Sequence, residues 1–381
     1  MKKGRMMAKL RLMTVVGTRP EIIKLSEIIK KCDTYFDHVL VHTGQNYDYS
    51  LNKIFFDELG IGQPDHYLGV VGENLGVTMG NVIARSFEVM SQVKPDALLV
   101  LGDTNSCLSV ISAKRLKIPV FHMEAGNRCF DENLPEEINR RIVDVTSDVN
   151  ICYSEQARGY LNAAGVSPER TFVMGSPMAE IFLRHKESID KSDVLSRLSL
   201  EKNKYILLSA HREENIDNED NFVSLMNGID RMAREYGMPV IYSTHPRSRK
   251  VIEKRGIVFC DNVKSMEPFG FFDYVTLEKN AYCVVSDSGT LAEESAYFGF
   301  PAVSIRTSTE RPEAIDAGCM IIGGIDGESI CNAVSMAVAM NENGDRGTAV
   351  PSYTDTSVSS RVVKLIMSYT GIVNKIVWRK N

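Results

Sequence analysis

Short apolar runs alternate with longer helix-like patterns along the whole chain. In the first half the runs are Leu12–Val16, Val39–His42, Ala97–Leu101, Val120–Met123, Val149–Cys152 and Thr171–Met174. In the second half they are Tyr205–Leu208, Val240–Tyr242, Tyr282–Ser286, Ala302–Ile305 and Met320–Ile322. Between them lie amphipathic patterns such as Glu21–Lys31, Pro135–Val145 and Asn221–Arg234. Short apolar runs separated by helices predict βαβ units and doubly wound parallel sheets, so the expected fold class is α/β in both halves. A chain of 381 residues is too long for one core, and two domains are expected. They are drawn at 1–190 and 200–360, joined through the charged stretch 184–203 (RHKESIDKSDVLSRLSLEKN). Residues 361–381, with an apolar face at Val362, Val363, Ile366 and Met367, are expected to form a helix and tail packing back on the N-terminal domain.

In open α/β sheets ligands bind beyond the carboxyl ends of the strands. The residues just after each run are therefore the ones to read. They are Gly17-Thr18-Arg19-Pro20-Glu21, His42-Thr43-Gly44-Gln45, Gly102-Asp103-Thr104 and Glu124-Ala125-Gly126 in the first half. In the second half they are His211-Arg212-Glu213-Glu214-Asn215 and Thr244-His245-Pro246-Arg247. Loops are polar in any protein, but this set is rich in titratable groups that can converge on one inter-domain cleft.

The most informative stretch is 281–299, AYCVVSDSGTLAEESAYFG. A strand stops at Ser286-Asp287-Ser288-Gly289-Thr290, and a helix follows with Glu293 and Glu294 in its first turn. Free N–H groups and the helix dipole then point at one spot, which suits an anion. The carboxylates repel phosphate but suit ribose hydroxyls, so the combination points to a nucleotide. The same residues also fit an ordinary N-capped helix with Ser288 as cap. Arg19 before Pro20, with Lys24 about one turn on, suits phosphate beside open N–H groups at a helix start; a surface cation pair is the alternative. The loop is neither GxGxxG nor GxxxxGK[ST], which argues against tightly bound NAD and against ATP hydrolysis.

Asp103, Glu124 and Glu136 are three carboxylates at strand ends or in the following loop. Carboxylates crowded in one cleft need not all ionise, so one can act as acid while another acts as base. Asp103 also reads as an N-cap, Glu136 as a first-turn helix residue, and His211 as a satisfied half-buried histidine. His42, His122 and His245 are similar but less placed. No His/Cys/Asp spacing resembles a closed zinc site, and no metal is implied.

Net charge is -5, which gives no reason to expect nucleic acid or an acidic membrane surface as partner. The N-terminus is basic (Lys2, Lys3, Arg5, Lys9), but its apolar run is broken by Arg11 and is too short for a signal peptide. No run approaches the ~18 apolar residues of a membrane span. The eight cysteines contain no CxxC pair, so reduced thiols in a cytoplasmic protein are expected.

These blocks together resemble the non-hydrolysing UDP-N-acetylglucosamine 2-epimerases. The matching segments are GTRPEIIK (17–24), HTGQ (42–45), GDTNS (102–106), HMEAG (122–126), PEEINR (135–140), SAHREEN (209–215), SDSGTLAEE (286–294) and RTSTERPEA (306–314). They run over most of the chain in the family's order. The resemblance implies a GT-B-like fold, two Rossmann-like domains with the active site in the cleft, and a homodimer. Within the family, HTGQNYDYSLN (42–52), EAGNRCFDENLPEEINRR (124–141) and PFGFFDY (268–274) are closer to the capsular and O-antigen branch that makes UDP-N-acetyl-L-fucosamine. That branch epimerises C2 of UDP-2-acetamido-2,6-dideoxy-L-talose. The chain departs from the usual family pattern at Asn46-Tyr47, Asn127 and Asn133-Leu134. The first of these bears on the substrate-activator site that bacterial members carry near the HTGQ loop.

The resemblance also implies a mechanism and roles. The C2 hydrogen of an amido sugar is not next to a carbonyl, so direct deprotonation is very costly. UDP instead leaves C1 as a base removes the C2 proton, giving a 2-acetamidoglycal; UDP then returns and a proton reaches the other face. Asp103, Glu124 and Glu136 are the implied acid/base residues. His211, helped by Arg19, would stabilise the leaving charge. Ser288, Gly289 and Thr290 would hold phosphate, Glu294 the ribose, Phe269 and Tyr274 the uracil side, and Lys24 would lie near the nucleotide. No NAD or metal is required. Three readings compete with this one. A GT-B glycosyltransferase using a UDP-sugar donor shares the fold. A hydrolysing epimerase would in its bifunctional form be followed by a sugar kinase domain, which is not expected in 381 residues. The third is a non-enzymatic nucleotide-sugar-binding regulator.

Overall fold

Residues rich in Val, Ile and Leu, flanked by Gly, Asp and Ser, build thirteen strands in the computed structural model, which describes residues 9–44, 53–216 and 218–380. Lys2, Lys3, Arg5, Gln45, Asn46 and Tyr47 lie outside the described residues, and with them the departure at Asn46-Tyr47. The first sheet contains Arg11–Val16 (β1), Asp37–His42 (β2), His66–Tyr67 (β3), Ala97–Leu101 (β4), Val120–Met123 (β5), Val149–Cys152 (β6) and Thr171–Val173 (β7). Its order is β3-β2-β1-β4-β5-β6-β7, and all neighbours are parallel. The second contains Ile206–Ser209 (β8), Val240–Ser243 (β9), Val263–Met266 (β10), Cys283–Ser286 (β11), Ala302–Ser304 (β12) and Ile321–Ile322 (β13). Its order is β10-β9-β8-β11-β12-β13, again parallel throughout.

Central strands such as Ala97–Leu101 are buried at every residue, because helices cover both faces of a parallel sheet. That is why they stand out as unbroken apolar runs, and each expected run is a strand to within two residues. Two strands had no such signal. β3 is two residues long, and β10 reads Val-Lys-Ser-Met with its polar middle exposed. Both lie at a sheet edge, where one neighbour suffices and a two-sided apolar run is not needed.

The chain divides into two compact units. One takes residues up to 127, 135–181 and those from 355 onward; the other takes 128–134 and 182–354. In each sheet the strand order reverses once, between β1 and β4 and between β8 and β11, the switch points beside which open α/β sheets bind their ligands. The helix Val358–Ile376 belongs to the first unit and packs on the helix Arg19–Tyr35. Glu180, 1% exposed, fastens its start: Ser359 N donates to Oε2 at 2.8 Å and the Ser359 hydroxyl donates to Oε1. Among the described residues no helix is long and apolar enough to cross a membrane.

Replacing Glu180 by Ala strands two buried donors. We expect Glu180→Ala to lower the unfolding free energy by about 2 kcal/mol, read from urea denaturation, with the C-terminal helix losing amide protection first.

Candidate active site

The first unit gathers its titratable groups at the ends of β1, β4 and β5. β5 stops at Met123, and Glu124 turns the chain with φ +62°, a left-handed conformation that a non-glycine residue adopts at a cost of about 1 kcal/mol. Its carboxylate lies in the interior, where Lys24 Nζ donates to Oε2 at 2.8 Å. The Tyr153 hydroxyl donates to the same oxygen at 3.2 Å, and Asn127 Nδ2 reaches Oε1 at 3.5 Å. Lys24, expected near the nucleotide, thus carries its ammonium to a carboxylate.

Asp103 follows β4 and the positive-φ Gly102. Arg140 Nε donates to its Oδ2 at 2.6 Å, and Asn139 Nδ2 donates to its backbone carbonyl at 2.9 Å. Both partners come from the helix Pro135–Thr146, whose first turn carries the half-buried Glu136. Glu136 Oε2 is shielded from solvent and has no hydrogen-bond partner. Asp103 and the helix of Glu136 are therefore held together. His122 is sealed in the interior, with Nε2 2.8 Å from Gly102 O and Nδ1 3.1 Å from Asp144. It is a structural residue.

At the end of β1 the structure corrects the sequence reading. The N–H groups expected to stand open for phosphate are occupied. Gly17 N and Thr18 N donate to Glu21 Oε2 at 3.0 and 2.7 Å, and Thr18 Oγ1 does so at 2.9 Å. Ser106 donates to the other oxygen. The helix Arg19–Tyr35 thus carries its own anion. Arg19 is half-buried, its guanidinium 5.9 Å from the centre of the Phe55 ring. Burial pushes Glu21 up to about 7 against the pull of these donors.

In the second unit the crevice between β8 and β11 is organised by Asp287, which is fully buried. Its Oδ2 accepts from His211 N at 2.8 Å, Arg212 N at 2.9 Å and Asn215 Nδ2 at 3.3 Å. Its Oδ1 lies 3.3 Å from His211 Nδ1, and the His211 side chain remains 26% exposed. The His245 ring stacks 5.9 Å from that of His211. Ser288 and Thr290 share a hydroxyl contact of 2.9 Å at the start of the helix Leu291–Phe298. At Gly289 a Cβ would meet Glu310 Oε1 at 2.7 Å, so only glycine fits without displacing that carboxylate. Glu310 in turn binds Arg212 Nη2 at 3.1 Å and Arg306 Nη1 at 2.6 Å.

The two acidic residues of this helix are both buried and meet different partners. Glu293 turns inward, 3.7 Å from the buried Arg311. Glu294 neighbours Glu278, whose carboxyl is held well above the usual range by burial and then by the Glu294 charge. Phe269 and Tyr274 flank the start of the helix Phe271–Asn280 and are half-buried on the core around Tyr205 and Leu277. Among the described residues no cluster of His, Cys, Asp or Glu has the makings of a metal site. Sequence reading missed Tyr153, Arg140 and the organising part of Asp287. Tyr153 was within reach of the strand-end rule, because it directly follows β6.

Two doubly wound parallel units of this kind, with their polar loops at the strand ends, define the GT-B-like class of α/β proteins. The family model described as UDP-N-acetylglucosamine 2-epimerase matches residues 30–367. The UDP-N-acetylglucosamine 2-epimerase of Methanococcus maripaludis is 34% identical over 337 residues, covering 86% of this chain and 92% of that protein. The solved structure of UDP-N-acetylglucosamine 2-epimerase from Rickettsia bellii superposes with TM-score 0.90 at 46% identity, covering 98% of this chain and all (100%) of that one. That of Methanocaldococcus jannaschii, in complex with UDP-GlcNAc and UDP, gives TM-score 0.88 at 32% identity, covering 94% and 100%. The chain belongs to the UDP-N-acetylglucosamine 2-epimerase family.

The raised Glu21 fixes a sign for the pH dependence of stability. Its folded value of about 7 exceeds the ordinary 4.5, so the folded state binds the extra proton between these limits. Its contribution is full below pH 4.5 and is lost as pH rises through 7. In urea unfolding across this range, Glu21→Gln is expected to flatten the decline in stability that the native protein shows.

Proposed function

We propose that this protein epimerises C2 of a UDP-2-acetamido sugar without hydrolysing it. UDP leaves C1, breaking the C1–O bond, while a carboxylate of the first unit takes the C2 proton. The 2-acetamidoglycal and UDP stay bound, UDP re-forms the C1–O bond, and a proton is delivered to the other face of C2. The sugar's oxidation state is unchanged, so the reaction needs no nicotinamide. The observation that supports this reading is the pair Asp103 and Glu124 at the ends of adjacent strands, with the unpartnered Glu136 Oε2 one turn from Arg140. Three carboxyl groups in one unit exceed what activating a single acceptor requires. Glycosyl transfer is therefore the second choice.

The proposal gives these residues the following roles. Asp103, Glu124 and Glu136 transfer protons. His211, positioned by Asp287, and Arg19 receive the charge that develops on departing UDP. Ser288, Gly289 and Thr290 hold phosphate at the helix start, Glu294 takes the ribose hydroxyls, and Phe269 and Tyr274 face uracil. Lys24 acts through Glu124. The blocks EAGNRCFDENLPEEINRR (124–141) and PFGFFDY (268–274) favour UDP-2-acetamido-2,6-dideoxy-L-talose over UDP-N-acetylglucosamine, for surface polysaccharide synthesis in the cytoplasm.

Proton NMR in deuterated water tests the reading, with the two UDP-sugars in separate tubes. Deuterium at C2 together with the epimer is expected, and the faster substrate names the branch. UDP release only when a sugar acceptor is added would establish the glycosyltransferase instead. Asp103→Asn and Glu136→Gln are each expected to abolish turnover while UDP still binds by calorimetry; loss of UDP binding with preserved turnover would refute their roles.

We also propose a homodimer. Leu75, Val77 and Phe87 on the helix Leu75–Val93 are each at least 42% exposed, a surface that association would cover. Light scattering is expected to give the mass of two chains, falling to one in Leu75→Asp/Phe87→Asp.

A further inference from the structure

We propose that Tyr153 positions Glu124 for proton transfer at C2. The proposal rests on the acid/base reading of the first unit and adds a residue to it. The strand register carries it: Phe121, His122 and Met123 of β5 pair with Val149, Asn150 and Ile151 of β6. The chains therefore leave the sheet side by side, Glu124 from one and Tyr153 from the other. Ala125 N bonds Ile151 O at 3.2 Å and Gly126 N bonds Asp144 Oδ1 at 3.2 Å, which pins the backbone on both sides of the turn. On the other strand, Ser154 caps the next helix by accepting from Ala157 N.

Tyr153 is fully buried, so its hydroxyl must find a partner inside the protein. Two other buried phenols bond to backbone carbonyls, Tyr205 to Leu277 O at 2.6 Å and Tyr242 to Ala210 O at 2.9 Å, while Tyr353 bonds Glu313 Oε1 at 2.6 Å. Tyr153 donates to Glu124 Oε2 at 3.2 Å, the oxygen already held by Lys24 Nζ at 2.8 Å. The Lys24 ammonium lies 5.7 Å from the centre of the same phenol ring, so the three side chains form one unit. Two donors fix Oε2. The Asn127 amide reaches the other oxygen, Oε1, at 3.5 Å. A ligand held within about half an ångström of productive geometry needs this kind of support behind it. Tyr153 touches no substrate in this account and acts through Glu124.

The test compares the full-length protein with Tyr153→Phe, which keeps the ring and removes one oxygen. The expected result is a kcat about tenfold lower, with C2 deuterium exchange slowed by the same factor. KM, UDP affinity and melting temperature are expected to stay close to those of the unmodified protein. Unchanged kcat and exchange would overturn the proposal, as would kcat and KM moving together with lost thermal stability. If the phenylalanine variant does not fold, 3-fluorotyrosine placed at 153 preserves shape while strengthening the donor; a kcat changed at least twofold supports the proposal and an unchanged kcat overturns it. Absence of C2 exchange in the unmodified protein would instead refute the epimerase reading itself.

Discussion

A carboxylate taken out of water costs several kcal/mol unless protein donors replace the lost solvent. The functional ends of both sheets are built on that requirement. Asp287 lies at the tip of β11 and is supplied from the tip of β8, by the N–H groups of His211 and Arg212 and the amide of Asn215. Glu124, at the tip of β5, is supplied from the helix after β1 by Lys24 and from the tip of β6 by Tyr153. Each buried charge ties together loops that the sheet alone would leave independent. Neutralise one of these carboxylates and its donors are stranded.

The two units use helix starts in opposite ways. After β1 the chain fills the helix N-terminus with its own Glu21, which closes that end to an outside anion. After β11 the loop is made of Ser288, Gly289 and Thr290, and the acidic residues sit one turn further on. Glu293 goes to Arg311, while Glu294 lies beside Glu278, whose carboxyl burial and the Glu294 charge hold well above the usual range. This difference is in keeping with the proposed roles, phosphate and ribose in the second unit and proton transfer in the first.

The fold was legible because parallel strands buried on both faces leave unbroken apolar runs, and loops at their ends concentrate Gly, Asp and Ser. β3 and β10 escaped notice because an edge strand has one neighbour and tolerates Lys264 and Ser265. The site was legible as a set of blocks at strand ends, which is where the switch points between β1 and β4 and between β8 and β11 now fall. Tyr153 escaped because nothing in its immediate sequence marks a tyrosine after a strand as a partner for a glutamate 29 positions earlier.

The sequence by itself determined the element order, the parallel sheets, the family and the residues standing at the strand ends. These follow from local patterns: side-chain periodicity, turn chemistry and short motifs whose meaning depends on neighbours along the chain. Pairing was decided only by tertiary structure. Whether Lys24 serves a phosphate or Glu124, and which partners the buried Glu293 and Glu294 meet, depend on groups brought together from distant segments. The reason is physical: a charge or donor withdrawn from water takes the nearest complementary group in space, and sequence distance has no bearing on that choice.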